Sequence, residues 1–229
     1  MKDNKIVTPL FIMLLLLFSS PLTAQHAEEN NSFGGWHFIE ISHTFNNAPK
    51  WSCSLYYEND NYQYQRLDCN FIRAKVGYTV KKWGSSSIRL GLGYDFIGFS
   101  TTYGHRIVGD VSGKIVRSQL SATVRLRYLH TWKPEIRTQD NEFRTQLMVA
   151  YTFPSKEFES HGKIKERGRI MPYLAVEIFT WADKWRKSRH YVGCMYDITK
   201  QMQIEGFYML TFSNRNPEHI LGLGLNFTI

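Results

Sequence analysis

Several things are scarce in this chain, and each absence removes a class of protein. Past residue 24, no run of apolar residues approaches the ~20 needed to span a bilayer as a helix. Helical periodicity is almost absent from Trp36 onward. There are three cysteines, Cys53, Cys69 and Cys194, and their spacings match no zinc site. Gly91-Leu92-Gly93 and Gly222-Leu223-Gly224 alternate within extended runs and open no helix, so neither is a phosphate loop. Acid is short relative to base: 28 Lys and Arg against 20 Asp and Glu give a net charge of +8. The basic residues are spread singly along alternating segments, which speaks against a nucleic-acid partner. No ligand set for a metal or a cofactor stands out, and none is expected.

What is present begins with an export signal. Lys2 and Lys5 precede an uncharged apolar run, Leu10 to Phe18. Ser19, Ser20 and Pro21 break that run, and Ala24 offers a small residue for cleavage. Residues 1–24 therefore read as a cleaved signal peptide. No cysteine follows Ala24, so a lipid anchor is not expected. Residues 25–35 read as a flexible polar leader, and 36–229 as one domain.

The last ten residues carry the strongest pattern. Leu221, Leu223, Leu225, Phe227 and Ile229 share one face of an extended strand. Gly222, Gly224, Asn226 and Thr228 share the other. A greasy face opposite a small, polar one suits hydrocarbon outside and a packed or wet lumen inside. The same alternation predicts ten strands: Trp36–Phe45, Trp51–Glu58, Arg66–Val80, Ser87–Phe99, Lys114–Trp132, Phe143–Phe153, Ile170–Trp181, His190–Thr199, Met202–Phe212 and His219–Ile229. The fifth exceeds the ~9–11 residues of a membrane strand, so it either projects or conceals a turn. Residues 100–113 read as a loop, and 155–168 as a charged connector.

The expected fold is all-β: an antiparallel transmembrane β-barrel of about ten strands, with twelve as the alternative. One conflict stands. Lys81-Lys82-Trp83-Gly84 looks like a short periplasmic turn, yet counting ten strands back from the C-terminus places it outside. All six tryptophans fall at or near predicted strand ends, as two interfacial girdles would require. Polar faces carry Arg, Gly, Ser and Thr with few Lys, unlike the solvated face of a soluble sandwich. Cys53 and Cys69 lie on successive predicted strands, close enough in sequence to be considered as a pair.

The segments Leu126-Arg127-Tyr128 to Phe153-Pro154, Pro172 to Phe179, Arg189 to Gly193 and Glu218 to Phe227 resemble a bacterial outer-membrane family known only as domain of unknown function 2490. The resemblance covers most of the mature chain and is best after residue 120. It implies a membrane barrel of unassigned activity. Two departures stand out. Val176-Glu177 occupies the place where Tyr-Asp-Glu is common, and the chain ends Phe227-Thr228-Ile229 where a terminal aromatic is usual.

The polar faces predict a lumen charge network of Arg73, Lys75, Arg89, Asp95, Arg117, Arg125, Arg127, Arg144, Glu177, Arg189, Asp197 and Glu205, with Glu40 beside them. Such charges must be paired or watered. Arg forks to carboxylates would brace neighbouring strands; unpaired arginines would favour anions. The expected role is structural, or a narrow solute or ion channel in the bacterial outer membrane, with no catalytic residues. Expected partners are outer-membrane lipid, the barrel-assembly machinery through the last strand, and a small solute or ion. Two alternatives differ in class. A rim hydrolase would need a Ser/His or Asp/His pair, with His43 among the candidates. A soluble exported barrel that binds a small apolar ligand would turn its apolar faces inward.

Overall fold

The computed structural model describes residues 32–62, 66–99, 102–153, 157–160, 163–166, 168–181, 184–213 and 217–229. The expected signal peptide, and residues 25–31 of the expected leader, lie outside these. The remaining leader residues, 32–35, belong to the first strand.

The strands are β1 (Ser32–Thr44), β2 (Trp51–Tyr62), β3 (Arg66–Trp83), β4 (Ser86–Phe99), β5 (Tyr103–Arg117), β6 (Leu120–Lys133), β7 (Thr138–Tyr151), β8 (Glu157–Ser160), β9 (Lys163–Glu166), β10 (Ile170–Trp181), β11 (Lys184–Asp197), β12 (Met202–Ser213) and β13 (Glu218–Thr228). Eleven of them close a barrel in the order β1-β13-β12-β11-β10-β7-β6-β5-β4-β3-β2. β8 and β9 form a separate antiparallel pair, so the expected charged connector contains a hairpin.

The expected ten strands, or twelve, are thus corrected to eleven. The long run Lys114–Trp132 does conceal a turn, at Ser118-Gln119, where Ser118 takes a left-handed φ of 53°. Residues 103–117, mostly read as loop, form β5, which pairs along its length with both β4 and β6. The added strand also resolves the conflict over Lys81 to Gly84. That turn now lies at the same rim as the C-terminal Ile229. We call this the lower rim; the upper rim holds Ser32.

An odd ring cannot alternate all the way round, so one pair must be parallel. The seam is β1 with β13, in register from Ser32↔Glu218 to Ser42↔Thr228. Every other pair in the barrel is antiparallel.

The barrel is apolar outside. Ile72, Val76, Leu90, Leu92, Phe96, Val124, Leu126, Leu147, Leu174, Val192 and Leu221 are all exposed, Leu92 and Leu174 to 64 %. Five tryptophans cluster at the rims: Trp51 and Trp83 below, Trp132, Trp181 and Trp185 above. Aromatic contacts mark both levels. Trp51 packs on Tyr78 at 4.9 Å near the lower rim, and His105 stacks on Trp132 at 5.5 Å near the upper. Trp36 is the exception to the expected girdles. It points inward, edge-on to Phe207 at 5.7 Å. The two cysteines considered as a pair sit at different heights. Cys53 faces Val76 and Cys69 faces Asp60, so no disulfide joins them.

Inside, bulky rings occupy space that glycines leave. A side chain at Gly222 would strike the Phe207 ring, and one at Gly224 the Phe38 ring. The small face of the last strand is therefore the bed on which lumen aromatics lie.

Candidate functional site

The lumen is built by period-two alternation, which sends every second residue of eleven strands inward. It divides into two halves.

The upper half is filled. Phe71, Ile97, Val108, Leu129, Phe179 and Met209 come from β3, β4, β5, β6, β10 and β12, all within five residues of the upper strand ends. Val108, Phe179 and Met209 are 0 % exposed, and Leu129 is 1 %. Charge is threaded among them. Asp95 is fully buried and receives Arg73 through Nε at 2.6 Å and Nη2 at 2.9 Å. Arg106 Nε reaches its second oxygen at 2.5 Å. One carboxylate thereby braces β3, β4 and β5. The two arginines also flank the Phe71 ring, at 5.1 and 4.9 Å. Phe179 is surrounded likewise by Arg144, Lys187 and Arg189, at 4.5, 4.7 and 5.0 Å from its centroid. Arg189 lies over Trp36 as well, at 4.9 Å. A buried guanidinium that faces an aromatic ring recovers part of its lost hydration.

A middle layer is partly paired. Lys75 Nζ lies 2.7 Å from Asp110, which also has Arg127 at 3.6 Å. This bridge joins β3 to β5 across β4, and Gly91 is what lets it cross. A Cβ there would sit 2.4 Å from Lys75 Cε and 2.7 Å from Asp110 Oδ1. Arg125 reaches Glu177 at 3.5 Å, and the Tyr191 hydroxyl donates to the same carboxylate at 3.1 Å. Arg144 pairs with Glu142 at 2.6 Å. Tyr56 donates to Glu58 at this level, and nearer the lower rim Tyr173 donates to Glu205.

A cavity of about 720 Å³ fills the lower half and reaches up past mid-height to Trp36, Phe71, Arg73 and Arg144, beneath the packed upper layer. Arg89 and Lys114 line it and are exposed to water. Among the described residues, Arg89 reaches a hydroxyl and no carboxylate: its Nη2 donates to Ser52 Oγ at 2.6 Å. Lys114 has no ion pair among the described residues, and Arg125 has the 3.5 Å contact alone. The opposite wall differs in kind. Lining residues from β12, β13, β1 and β2 include Glu40, Glu58 and Glu205, and no lysine or arginine.

Two expected members fall elsewhere. Arg117 is exposed and shares the outer face of β5 with Ile107, Val111 and Ile115. The two-residue turn after it reverses the phase of alternation, so it does not share the inner face of Arg125 and Arg127. Asp197 sits at the lower rim, bound by the exposed Arg169 at 2.9 Å and by Gln203 at 2.8 Å. Arg73, Lys75, Asp95, Arg125, Arg127, Arg144, Glu177, Arg189, Arg89 and Glu205 are brought into the lumen. Sequence reasoning missed Arg106 and Asp110, because both lie in the segment read as loop. Alternation about Ile107, Val111 and Ile115 was the available signal.

Two histidine contacts bear on the rim-hydrolase alternative. His43 Nδ1 lies 2.6 Å from the carbonyl of Ile229. Ser188 Oγ and His190 Nε2 are 3.2 Å apart on the outer face of β11, and among the described residues no carboxylate is paired with His190. His105, placed in a connector by the sequence reading, is on β5, 2.5 Å from the Tyr94 hydroxyl. Among the described residues, no cluster of three or more His, Cys, Asp or Glu could hold a metal ion.

The class is that of an inside-out barrel, apolar on its surface and charged within. The chain belongs to the protein family of unknown function DUF2490, whose model matches residues 33–220. Among solved structures, it is similar to a NanC porin in a rhombohedral crystal form, with 16 % identity, a TM-score of 0.48, and coverage of 78 % of this chain and 86 % of that one. It is also similar to a KdgM porin, with 18 % identity, a TM-score of 0.47, and coverage of 81 % and 93 %. No curated protein matches at a significant level.

Proposed function

We propose that this protein is an outer-membrane channel for small charged solutes, with a basic vestibule at its lower rim and a packed plug at its upper one. The observation that carries this reading is the wet half of the lumen. A purely structural barrel gains by packing its interior throughout, as the upper half does. The lower half instead keeps Arg89 and Lys114 in water, without carboxylate partners among the described residues. Cations held there attract anions and raise their local concentration. The exposed belt of Leu, Ile, Val and Phe supports the membrane setting, because it would be costly in water.

Conductance of the refolded barrel in planar bilayers tests this. The wild-type protein is expected to be closed for most of the time. Phe179→Ala removes the ring that Arg144, Lys187 and Arg189 surround, and is expected to give a steady anion-selective conductance. Barrels shown to be folded, yet silent after this truncation, would sink the channel reading. Steady cation selectivity would reject the role given to Arg89, Lys114 and Arg125.

A further inference from the structure

The sequence places acids and bases on the same polar faces, but ring order separates them. β6 lies five strands from β1 one way round and six the other, so the two face each other across the lumen. β5 and β12 are related in the same way. Arg125 on β6 therefore faces Glu40 on β1, and Lys114 on β5 faces Glu205 on β12. Arg89 on β4 stands beside the basic pair. These residues are also at one depth. Each lies three to five residues from the lower end of its strand: Glu40 before Thr44, Arg89 after Ser86, Lys114 before Arg117, Arg125 after Leu120 and Glu205 after Met202. The remaining acid that lines β4–β6, Asp110, is engaged by Lys75 and Arg127. The vestibule thus has a basic arc opposite an acidic arc, and an apolar flank of Met148, Ala175 and Met195, on β7, β10 and β11, between them.

We infer that the vestibule is a binding site for a small zwitterion, with its anionic group on Arg89, Lys114 and Arg125 and its ammonium on Glu40 and Glu205. This rests on the vestibule being open to solutes, as the channel reading holds. Size sharpens the class. Strands spaced ~4.8 Å apart and tilted ~40° make an eleven-membered ring about 22 Å across between backbones. Side chains reaching in from both walls leave a gap of about 10 Å between opposed charges, which an extended tripeptide spans at ~3.3–3.6 Å per residue. A simple anion would satisfy one arc and leave Glu40 facing it. A zwitterion of that length satisfies both.

Titration calorimetry on the refolded full-length barrel, with trialanine, N-acetyl-trialanine and trialanine amide as probes, tests the inference. Trialanine is expected to bind at least tenfold more tightly than either capped form. Glu40→Gln and Glu205→Gln are expected to erase its advantage over the N-acetyl form, while Arg125→Gln erases its advantage over the amide. N-acetyl-trialanine binding as well as trialanine would reduce the site to an anion cup and overturn the inference. So would no binding of any probe. The capped-ligand comparison uses the wild-type protein alone, so it decides even where a variant fails to fold. Anion-selective conductance without preference for trialanine would overturn this inference and leave the channel standing. Silence of Phe179→Ala with preference for trialanine intact would do the reverse.

Discussion

The upper and lower halves of one lumen are made by the same eleven strands and hold opposite contents. Above, Asp95 is shared by two arginines, and Asp95, Phe179 and Met209 are fully buried. Below, Arg89 and Lys114 are exposed in a water-accessible cavity and have no carboxylate partner among the described residues. The lesson is that a charge in a barrel is structural or functional according to its surroundings, not its type. Arg73 and Arg89 are both inward arginines on adjacent strands. The first is locked by a bidentate carboxylate, and the second donates to a serine hydroxyl.

Substitutions in the two halves should therefore differ in kind as well as size. The largest loss is expected from Asp95→Ala, which strands two guanidinium groups in a dry interior. Breaking a buried ion pair in this way costs about 3–5 kcal/mol. Denaturant unfolding of the lipid-embedded barrel would measure it, and a loss below 1 kcal/mol would break the comparison. Gly91→Val comes next. Its side chain would displace the Lys75–Asp110 bridge, an overpacking cost of about 1–3 kcal/mol. The same unfolding experiment reads it, and Lys75→Ala in the same chain should relieve part of the strain. Arg89→Ala and Lys114→Ala are expected to move stability by no more than about 0.5 kcal/mol, as substitutions outside a packed network do. Their effect should appear in reversal potential, as weakened anion preference in a barrel opened by Phe179→Ala. The smallest effect belongs to Arg117→Ala, on the outer face beside a turn. It should alter neither stability nor selectivity; a selectivity change would show that Arg117 reaches the lumen after all.

Period-two alternation is local: it follows from the geometry of one extended chain, so residue order alone settles which face of each strand is greasy and which polar. The outward face of β4, from Ile88 to Phe96, and the glycine-bearing inner face of β13 could be read residue by residue. So could the inward placement of Arg73, Asp95, Arg125, Arg144, Glu177 and Arg189. Strand number could not. A two-residue turn at Ser118-Gln119 carries no glycine or proline, and it hid inside an unbroken run of strand-forming residues. That one turn set the parity, required the parallel β1–β13 seam, turned Arg117 outward and created the strand that supplies Arg106 and Asp110.

Who meets whom was set by closure of the barrel. Which carboxylate takes which arginine depends on register between strands far apart in sequence. The opposition of Arg125 to Glu40, and of Lys114 to Glu205, depends on closure of the ring. The plug needs six strands to bring Phe71, Ile97, Val108, Leu129, Phe179 and Met209 to one level. No alternation within a strand encodes its neighbours' height, because period two fixes a side chain's face and leaves its partner to the register of the whole barrel.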